Sequence, residues 1–251
     1  MEENTLTKNE RKQLRREEKL EERARNEKRA NFRSKWKKVA ILFSLAFIIT
    51  MGGYWWFQSS QNGPDVSSSA VTKEDLLQVA PDDWIKGNKD ARVTVVEYLD
   101  FECEACRANY PLIKRVSEEY GNDVAFVSRY FPLPGHKNSM TAALAVEAAG
   151  KQEKYWAMYD LLFEEQEKWG NRTSPDRKIF ERYAEQLGLD MERFKQDVDS
   201  KEVKDRVTRD RDAGNRLKVN ATPTFFLNGK KIENPRGYED FKSLLEKELN
   251  Q

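Results

Sequence analysis

The sequence predicts one α/β domain that follows a single membrane-spanning segment. Residues 39–57 contain no charged side chain, and a chain of 251 residues has room for one ordinary domain beside such a segment. Apolar patterns in the remainder run strand, helix, strand, then several helices, then strand, strand, helix. We therefore expect the order βαβ, helical insertion, ββα, preceded by one transmembrane helix.

The apolar run at 39–57 has the length and the flanks of a transmembrane helix. Its 19 residues approach the roughly 20 that cross a ~30 Å hydrocarbon core, and Tyr54, Trp55 and Trp56 lie at its far end. Basic residues crowd its near side, whereas the next positive charge after it is Lys73. The positive-inside rule then predicts a cytoplasmic amino terminus and an extracytoplasmic domain at the cell membrane. A cleaved signal peptide is the alternative, but it would need a charged region of 38 residues.

Composition assigns the segments on either side of the span. Residues 1–38 mix both signs of charge, which predicts a charged cytoplasmic tail, and residues 58–83 begin with a polar, Gly- and Pro-containing stretch that predicts a flexible extracytoplasmic tether. The chain carries 44 Lys and Arg against 43 Asp and Glu, so its overall charge indicates no particular partner. We expect contact with the lipid bilayer through 39–57 and no binding to nucleic acid.

A βαβ unit opens the predicted domain, which spans 84–251. Residues 92–99 form a β-branched, apolar run, residues 107–120 have helical periodicity up to Gly121, and residues 124–131 form a second apolar run. Strand, helix and strand within about 40 residues imply a parallel pair with a right-handed crossover.

Helices and a carboxy-terminal hairpin complete the domain. An insertion at about 138–218 reads as helices followed by a charged stretch; the helices are predicted at 139–149, 154–168, 176–187 and 191–199. A strand then resumes at 224–227, Asn228-Gly229 is a type I′ turn signal into 230–233, and 238–249 closes the chain as an amphipathic helix.

Cys103 and Cys106 are the only cysteines, and they lie at the predicted start of the first domain helix. There, unpaired N–H groups and the helix dipole favour a thiolate at the first cysteine, while the second is one turn away and can resolve a mixed disulfide. Zinc needs about four ligands, and only His136 could join the two thiolates. A disulfide across so short a loop would add little stability. The pair therefore predicts redox chemistry with no cofactor other than the Cys103–Cys106 disulfide.

Three stretches resemble one family. The run 93–106 is similar to the active-site entry of the DsbA family of thiol–disulfide oxidoreductases, and in particular of its membrane-anchored, BdbD-like branch. Phe131-Pro132-Leu133 with His136 resembles the segment after the second strand, and 220–226 resembles the cis-proline loop. The resemblance extends from Trp84 to Leu249 and implies a thioredoxin-like fold with a helical insertion, as the order of elements also suggests.

The resemblance also implies roles for individual residues. Cys103 would be the attacking thiol, Cys106 the resolving thiol, and Pro223 a cis-proline preceded by Thr222. Glu97 matches a buried acid of thioredoxin-like proteins, and we expect its carboxyl to have a raised pKa and to relay protons to Cys106. An exposed Glu97 and an ordinary strand-start Pro223 are the alternatives. His136 is expected to be a hydrogen-bonded structural residue.

The dipeptide between the cysteines departs from the family pattern. Glu104-Ala105 stands where proline followed by an aromatic residue or histidine is common, and Glu102 adds a second carboxylate. A carboxylate ~6 Å from the thiolate at an effective dielectric near 40 disfavours it by roughly 1.4 kcal/mol, about one pKa unit. We expect a milder oxidant than the strongest family members, and a higher reduction potential in Glu104→Pro.

The sequence favours an oxidase that forms disulfide bonds in exported proteins. Its substrates would be unfolded or reduced exported chains, and the resemblance implies reoxidation by a membrane quinone-linked thiol oxidase. A reductase or isomerase using the same cysteines is the first alternative, because direction depends on potential and partner. A non-catalytic holdase or adaptor for exported chains is the second.

Overall fold

The computed structural model describes residues 72–251. The predicted tail at 1–38, the span at 39–57 and most of the tether lie outside the described residues. Within 72–251, no helix combines the length and apolar character that crossing a bilayer requires.

A five-stranded mixed sheet forms the centre of the domain. Its strands are β1 (Trp84–Gly87), β2 (Val93–Leu99), β3 (Val124–Tyr130), β4 (Thr224–Leu227) and β5 (Lys230–Lys231), in the spatial order β1-β3-β2-β4-β5. β2 and β3 are parallel, as predicted, and every other neighbouring pair is antiparallel. Central β2 is almost wholly buried, whereas β1 and β5 are short edge strands that carry lysines.

Nine helices surround this sheet in the part of the chain that the structure describes. They are α1 (Lys73–Leu77), α2 (Glu104–Tyr120), α3 (Ser139–Gly150), α4 (Tyr155–Glu164), α5 (Gln166–Trp169), α6 (Arg177–Gln186), α7 (Met191–Asp199), α8 (Lys201–Arg216) and α9 (Tyr238–Leu249). The predicted order βαβ, helical insertion, ββα is confirmed. Asn228 and Gly229 have φ of 46° and 78°, which is the left-handed pair that a type I′ turn requires.

Three parts of the domain differ from the predicted pattern. β1 was not expected, because four residues including Lys86 and Gly87 carry no recognisable strand alternation. The helix predicted at 154–168 is divided between α4 and α5, and the charged stretch after 199 is one continuous helix, α8. Within the predicted tether, the sequence favours a short helical turn at 73–79, and α1 forms there. A capping box between Thr72 and Asp75 begins this helix, and its Leu77 is buried.

A buried ion cluster attaches residues 72–83 to the domain. The Arg129 guanidinium lies 2.7 Å from Asp83 Oδ2 and donates to the carbonyls of Leu76 and Gln78. Arg206 on α8 contacts the same Asp83 at 3.1 Å and also pairs with Asp210. Buried charges require such partners, so the compact domain begins before the predicted boundary at Trp84.

The insertion covers the carboxyl end of β2 and the start of α2. Its helices α3 to α8 enclose the largest apolar cluster of the domain, and that cluster includes both cysteines. A second cluster lies between the sheet and the helices α2 and α9. The chain segment that carries Cys103 is therefore held between the sheet and the insertion.

Candidate redox site

Cys103 caps the amino terminus of α2, where β2 passes through a short turn into the helix. The helix begins at Glu104, so the backbone N–H groups of its first turn have no partner within the helix. The Cys103 N–H donates to the Asp100 carbonyl at 3.1 Å, which closes the turn. The predicted position of the first cysteine at a helix start is confirmed.

The environment of Cys103 favours its thiolate. A hydrogen bond from the Cys106 thiol is the largest cause that lowers the pKa of Cys103 to about 5; burial opposes it, and the Thr222 side chain and the N–H groups of Cys106 and Ala105 add to it. In the thiol form, Cys103 Sγ donates to the Thr222 carbonyl oxygen at 3.3 Å. The carbonyl contact favours the thiol, but with a pKa of about 5 Cys103 is ionised at neutral pH.

Cys106 has the opposite character. Its side chain is 1% exposed, and burial raises its pKa well above the ordinary value, with the Cys103 hydrogen bond and the charge of Glu97 acting in the same direction. Both cysteines are free thiols in this structure. The pair therefore combines a stabilised thiolate with a buried thiol that keeps its proton.

The loop after α8 brings Thr222 and Pro223 to the cysteines. The Thr222–Pro223 peptide bond is cis, as predicted. Thr224 Oγ1 donates to the Ala221 carbonyl at 2.8 Å, and Asn234 Nδ2 donates to the Pro223 carbonyl at 2.9 Å. These bonds hold the loop on both sides of the residue that contacts Cys103.

Glu97 lies on β2 with its carboxyl group inside the protein. Burial raises its pKa to about 8, while a hydrogen bond from Tyr159 acts weakly in the other direction. The carboxyl lines a narrow cavity of about 20 Å³ together with Tyr159, Ser128 and Asp160, and such a volume holds roughly one water molecule. The predicted burial and raised pKa are confirmed, and the relay role stays a prediction.

Glu102 and Glu104 do not act on Cys103 as predicted. The Glu102 carboxylate is buried and accepts the backbone N–H groups of Asn138 at 2.6 Å and Asn171 at 3.1 Å. Glu104 accepts from Asn171 Nδ2 at 2.7 Å. Because both carboxylates are occupied by the insertion, the predicted upward shift of the Cys103 pKa is wrong in direction.

His136 is a hydrogen-bonded structural residue, as predicted. Its Nδ1 lies 2.6 Å from Asp100 Oδ2, and the same carboxylate accepts the N–H groups of Leu133 at 2.9 Å and of Glu102 at 2.8 Å. Among residues 72–251, no three His, Cys, Asp or Glu side chains lie together as ligands for a metal ion.

Three residues that contact the loop at 101–103 were not predicted from the sequence: Asn138, Gln166 and Asn171. Gln166 is 65 positions from Phe101, whose carbonyl it contacts, and a lone Gln on a short charged helix has no distinguishing pattern. The one available signal was the cluster of polar residues near Gly170 in an otherwise helical insertion.

The chain is similar to proteins of known family. Residues 80–247 match the family model described as thioredoxin. The chain belongs to the thioredoxin family.

Solved structures refine the family assignment. The chain is 29% identical to oxidised BdbD from Bacillus subtilis, with 66% of this chain and 92% of that chain covered and a TM-score of 0.54. It shares its fold with alpha-DsbA1 from Wolbachia pipientis, at 24% identity, 71% and 96% coverage and a TM-score of 0.65. The family and these neighbours identify a thiol–disulfide oxidoreductase of the DsbA type.

Curated sequence relatives carry a different name. The chain is 37% identical over 166 residues to a protein named Na(+)/H(+) antiporter NhaA 3 from Salinispora tropica. The matched residues make up 65% of this chain but 24% of that protein. The chain thus spans about a quarter of the length of the curated relatives it matches. The antiporter name is given to the whole of each relative, of which only about a quarter matches this chain.

Proposed function

We propose that this thioredoxin-family protein oxidises thiols of exported proteins through the Cys103–Cys106 disulfide. The observation that carries the proposal is the contrast between the two cysteines. The pKa of Cys103 is lowered to about 5, whereas burial keeps Cys106 protonated. The site needs no redox group other than this disulfide.

The reaction proceeds through two thiol–disulfide exchanges. A substrate thiolate attacks Cys103 Sγ, which forms a mixed disulfide and releases the sulfur of Cys106. A second substrate thiolate then attacks the substrate sulfur of that mixed disulfide, and Cys103 leaves as a thiolate. The substrate loses two electrons and gains one disulfide bond, and the enzyme pair becomes a dithiol. Cys103 is a good leaving group in the second step because its thiolate is stabilised.

Glu97 supplies the proton that the first exchange requires. Cys106 leaves as a poorly stabilised thiolate, because its buried sulfur has a raised pKa. A carboxyl group with a pKa of about 8 is protonated at neutral pH, so it can donate to the departing sulfur. The water-sized cavity beside Glu97 supports exchange of that proton with solvent.

The stabilised thiolate sets the direction of the reaction. A stable reduced form makes the corresponding disulfide a stronger oxidant. A pKa of about 5 at Cys103 lies between about 7 for thioredoxin and about 3.5 for DsbA. We therefore expect a net oxidant that is milder than DsbA, because the Cys103 thiolate is stabilised less than that of DsbA and not because of the flanking glutamates.

The sequence at 39–57 supports an extracytoplasmic position for this chemistry. A span with basic residues before it would hold the domain outside the cytoplasm at the cell membrane. There, reduced or unfolded exported chains would supply thiolates, and a membrane quinone-linked thiol oxidase would return the pair to the disulfide.

The reduction potential tests the proposal. The full chain is equilibrated with glutathione buffers and quenched with a maleimide, whose mass reports both thiols because the chain has only two cysteines. A value between about −120 and −180 mV would support a net oxidant. A value near −270 mV would instead favour the reductase alternative. Full cellular function of a Cys103→Ser, Cys106→Ser double variant would favour the holdase alternative.

A further inference from the structure

The residue immediately before the nucleophilic cysteine carries a buried carboxylate with no cationic partner among the described residues. Glu102 is 2% exposed, and both of its oxygens accept backbone N–H groups that belong to the insertion. One donor, Asn138, stands at the start of α3, and the other, Asn171, follows α5. Two hydrogen bonds to a charged acceptor stabilise this contact far more than two neutral ones would.

A second buried side chain holds the same loop through its backbone. Gln166 is 3% exposed, and its Nε2 donates to the carbonyls of Phe101 at 2.7 Å and of Cys103 at 3.0 Å. The tripeptide Phe101-Glu102-Cys103 is therefore fixed by the Glu102 side chain and by the backbone carbonyls of the other two residues.

The donors are themselves held within the insertion. Asn138 Nδ2 donates to the Trp169 carbonyl at 3.2 Å, and its Oδ1 accepts the Asp176 N–H at 2.7 Å. The Trp169 indole is wholly buried and donates to the Leu162 carbonyl at 3.0 Å. The contacts on the cysteine loop thus belong to one connected network that runs through three segments of the insertion.

We infer that Glu102 and Gln166 are positioning residues, through which the helical insertion fixes Cys103 Sγ against Thr222 and the first turn of α2. The inference rests on the proposed function, in which Cys103 is the attacked sulfur. Backbone N–H groups stabilise a thiolate only at hydrogen-bonding distance and angle, so a small rotation of the loop weakens them.

Two substitutions test the inference separately. Glu102→Gln replaces a carboxylate oxygen by an NH₂ group that faces a backbone N–H, and Gln166→Met removes both loop donors while keeping side-chain length. The matched controls are Glu185→Gln and Gln186→Met, at exposed positions of the insertion. The full reduced chain is titrated by thiolate absorbance, and its unfolding free energy is measured in urea.

We expect the pKa of Cys103 to rise by about one unit or more in both test variants and by less than about 0.3 unit in the controls. At pH 5, the thiolate fraction of Cys103 should fall by about fivefold or more. Because a more basic thiolate is also a better nucleophile, the rate of reaction with a small disulfide should fall less, by about twofold. If Glu102→Gln does not fold, Gln166→Met carries the test, because it leaves no buried charge unpaired.

The outcomes separate this inference from the proposed function. Folded test variants whose Cys103 pKa stays within about 0.3 unit of the wild type would overturn the positioning role and leave the proposed function intact. A wild-type pKa near the ordinary value of 9.0 would contradict the proposed function itself.

Discussion

At the scale of single residues, hydrogen bonds keep Cys103 ionised, whereas burial keeps Cys106 and Glu97 neutral. Cys103 lies at the start of α2, where the Cys106 thiol and the unpaired N–H groups of the first turn stabilise its thiolate. Cys106 and Glu97 lie deeper, and burial favours the neutral form of each. Their positions in the sequence suggest this contrast, but the loop from α8 that carries Thr222 completes it.

The raised pKa of Glu97 makes stability depend on pH. Its folded pKa of about 8 exceeds the ordinary glutamate value of 4.5, so the contribution of the neutral side chain to stability is fully present below pH 4.5. This contribution is lost as pH rises toward 8 and stays lost above it. The isosteric variant Glu97→Gln carries no charge at this position at any pH. As pH rises from 5 to 8.5, the wild type should lose on the order of 3 kcal/mol in its free energy of unfolding relative to this variant.

Urea unfolding of the oxidised chain at both pH values measures this difference without titration of the thiols. Glu185→Gln provides the same charge change at an exposed position of α6 and should follow the wild type. A Glu97→Gln curve that remains parallel to the wild type across this range would show that Glu97 ionises normally. The same variant should slow the first thiol–disulfide exchange if Glu97 donates its proton.

At the scale of elements, the sequence predicts segments with regular patterns and misses those whose structure depends on partners. β2, α2, β3, α7, β4 and α9 appear where periodicity places them, within three residues at each end. β1 forms because β3 offers an open edge, and its four residues pair with residues 125–128. Helix α8 has charged residues on most of its faces, and its buried Arg206 and Asp210 find partners only in the folded domain.

The same limit applies to the site. Cys103, Cys106, Pro223, Thr222 and Glu97 are brought together as the cysteine motif and the family resemblance suggest. Gln166 and Asn171 could not be predicted, because hydrogen bonds across 60 or more positions leave no local pattern. For that reason the expected upward shift of the Cys103 pKa by Glu102 and Glu104 was wrong.

Close packing of α8 on the sheet depends on Gly214. A Cβ atom at this position would lie 2.6 Å from the Phe131 ring and 3.1 Å from Tyr98. Gly214→Ala gains about 1 kcal/mol in helix propensity but overpacks a buried contact, which typically costs 1–3 kcal/mol. We expect a net loss of about 1 kcal/mol or more in the free energy of unfolding by urea. Asn215→Ala, at the exposed neighbouring position, should change it by less than about 0.5 kcal/mol.

At the scale of the whole molecule, the segment before β1 is part of the domain. Removal of residues 72–83 would leave Arg129 without Asp83 and two carbonyls, and would leave Arg206 with one of its three carboxylates, that of Asp210. A buried charge deprived of its partner typically costs 3–5 kcal/mol. A fragment 84–251 should therefore be less stable than a fragment 72–251 by about 3 kcal/mol or more in urea. Equal midpoints and slopes for the two fragments would show that α1 and Asp83 are dispensable.

The short edge strands have a consequence for a protein that meets unfolded chains. An open sheet edge is a template on which a foreign strand can add, and repeated addition leads to aggregation. Here one edge is the four-residue β1 with Lys86, ending at Gly87 with φ of 97°, and the other is the exposed pair Lys230 and Lys231. Desolvating these ammonium groups opposes strand addition at either edge. Misfolding of a reduced polypeptide held at the site through strand addition to this sheet is therefore disfavoured.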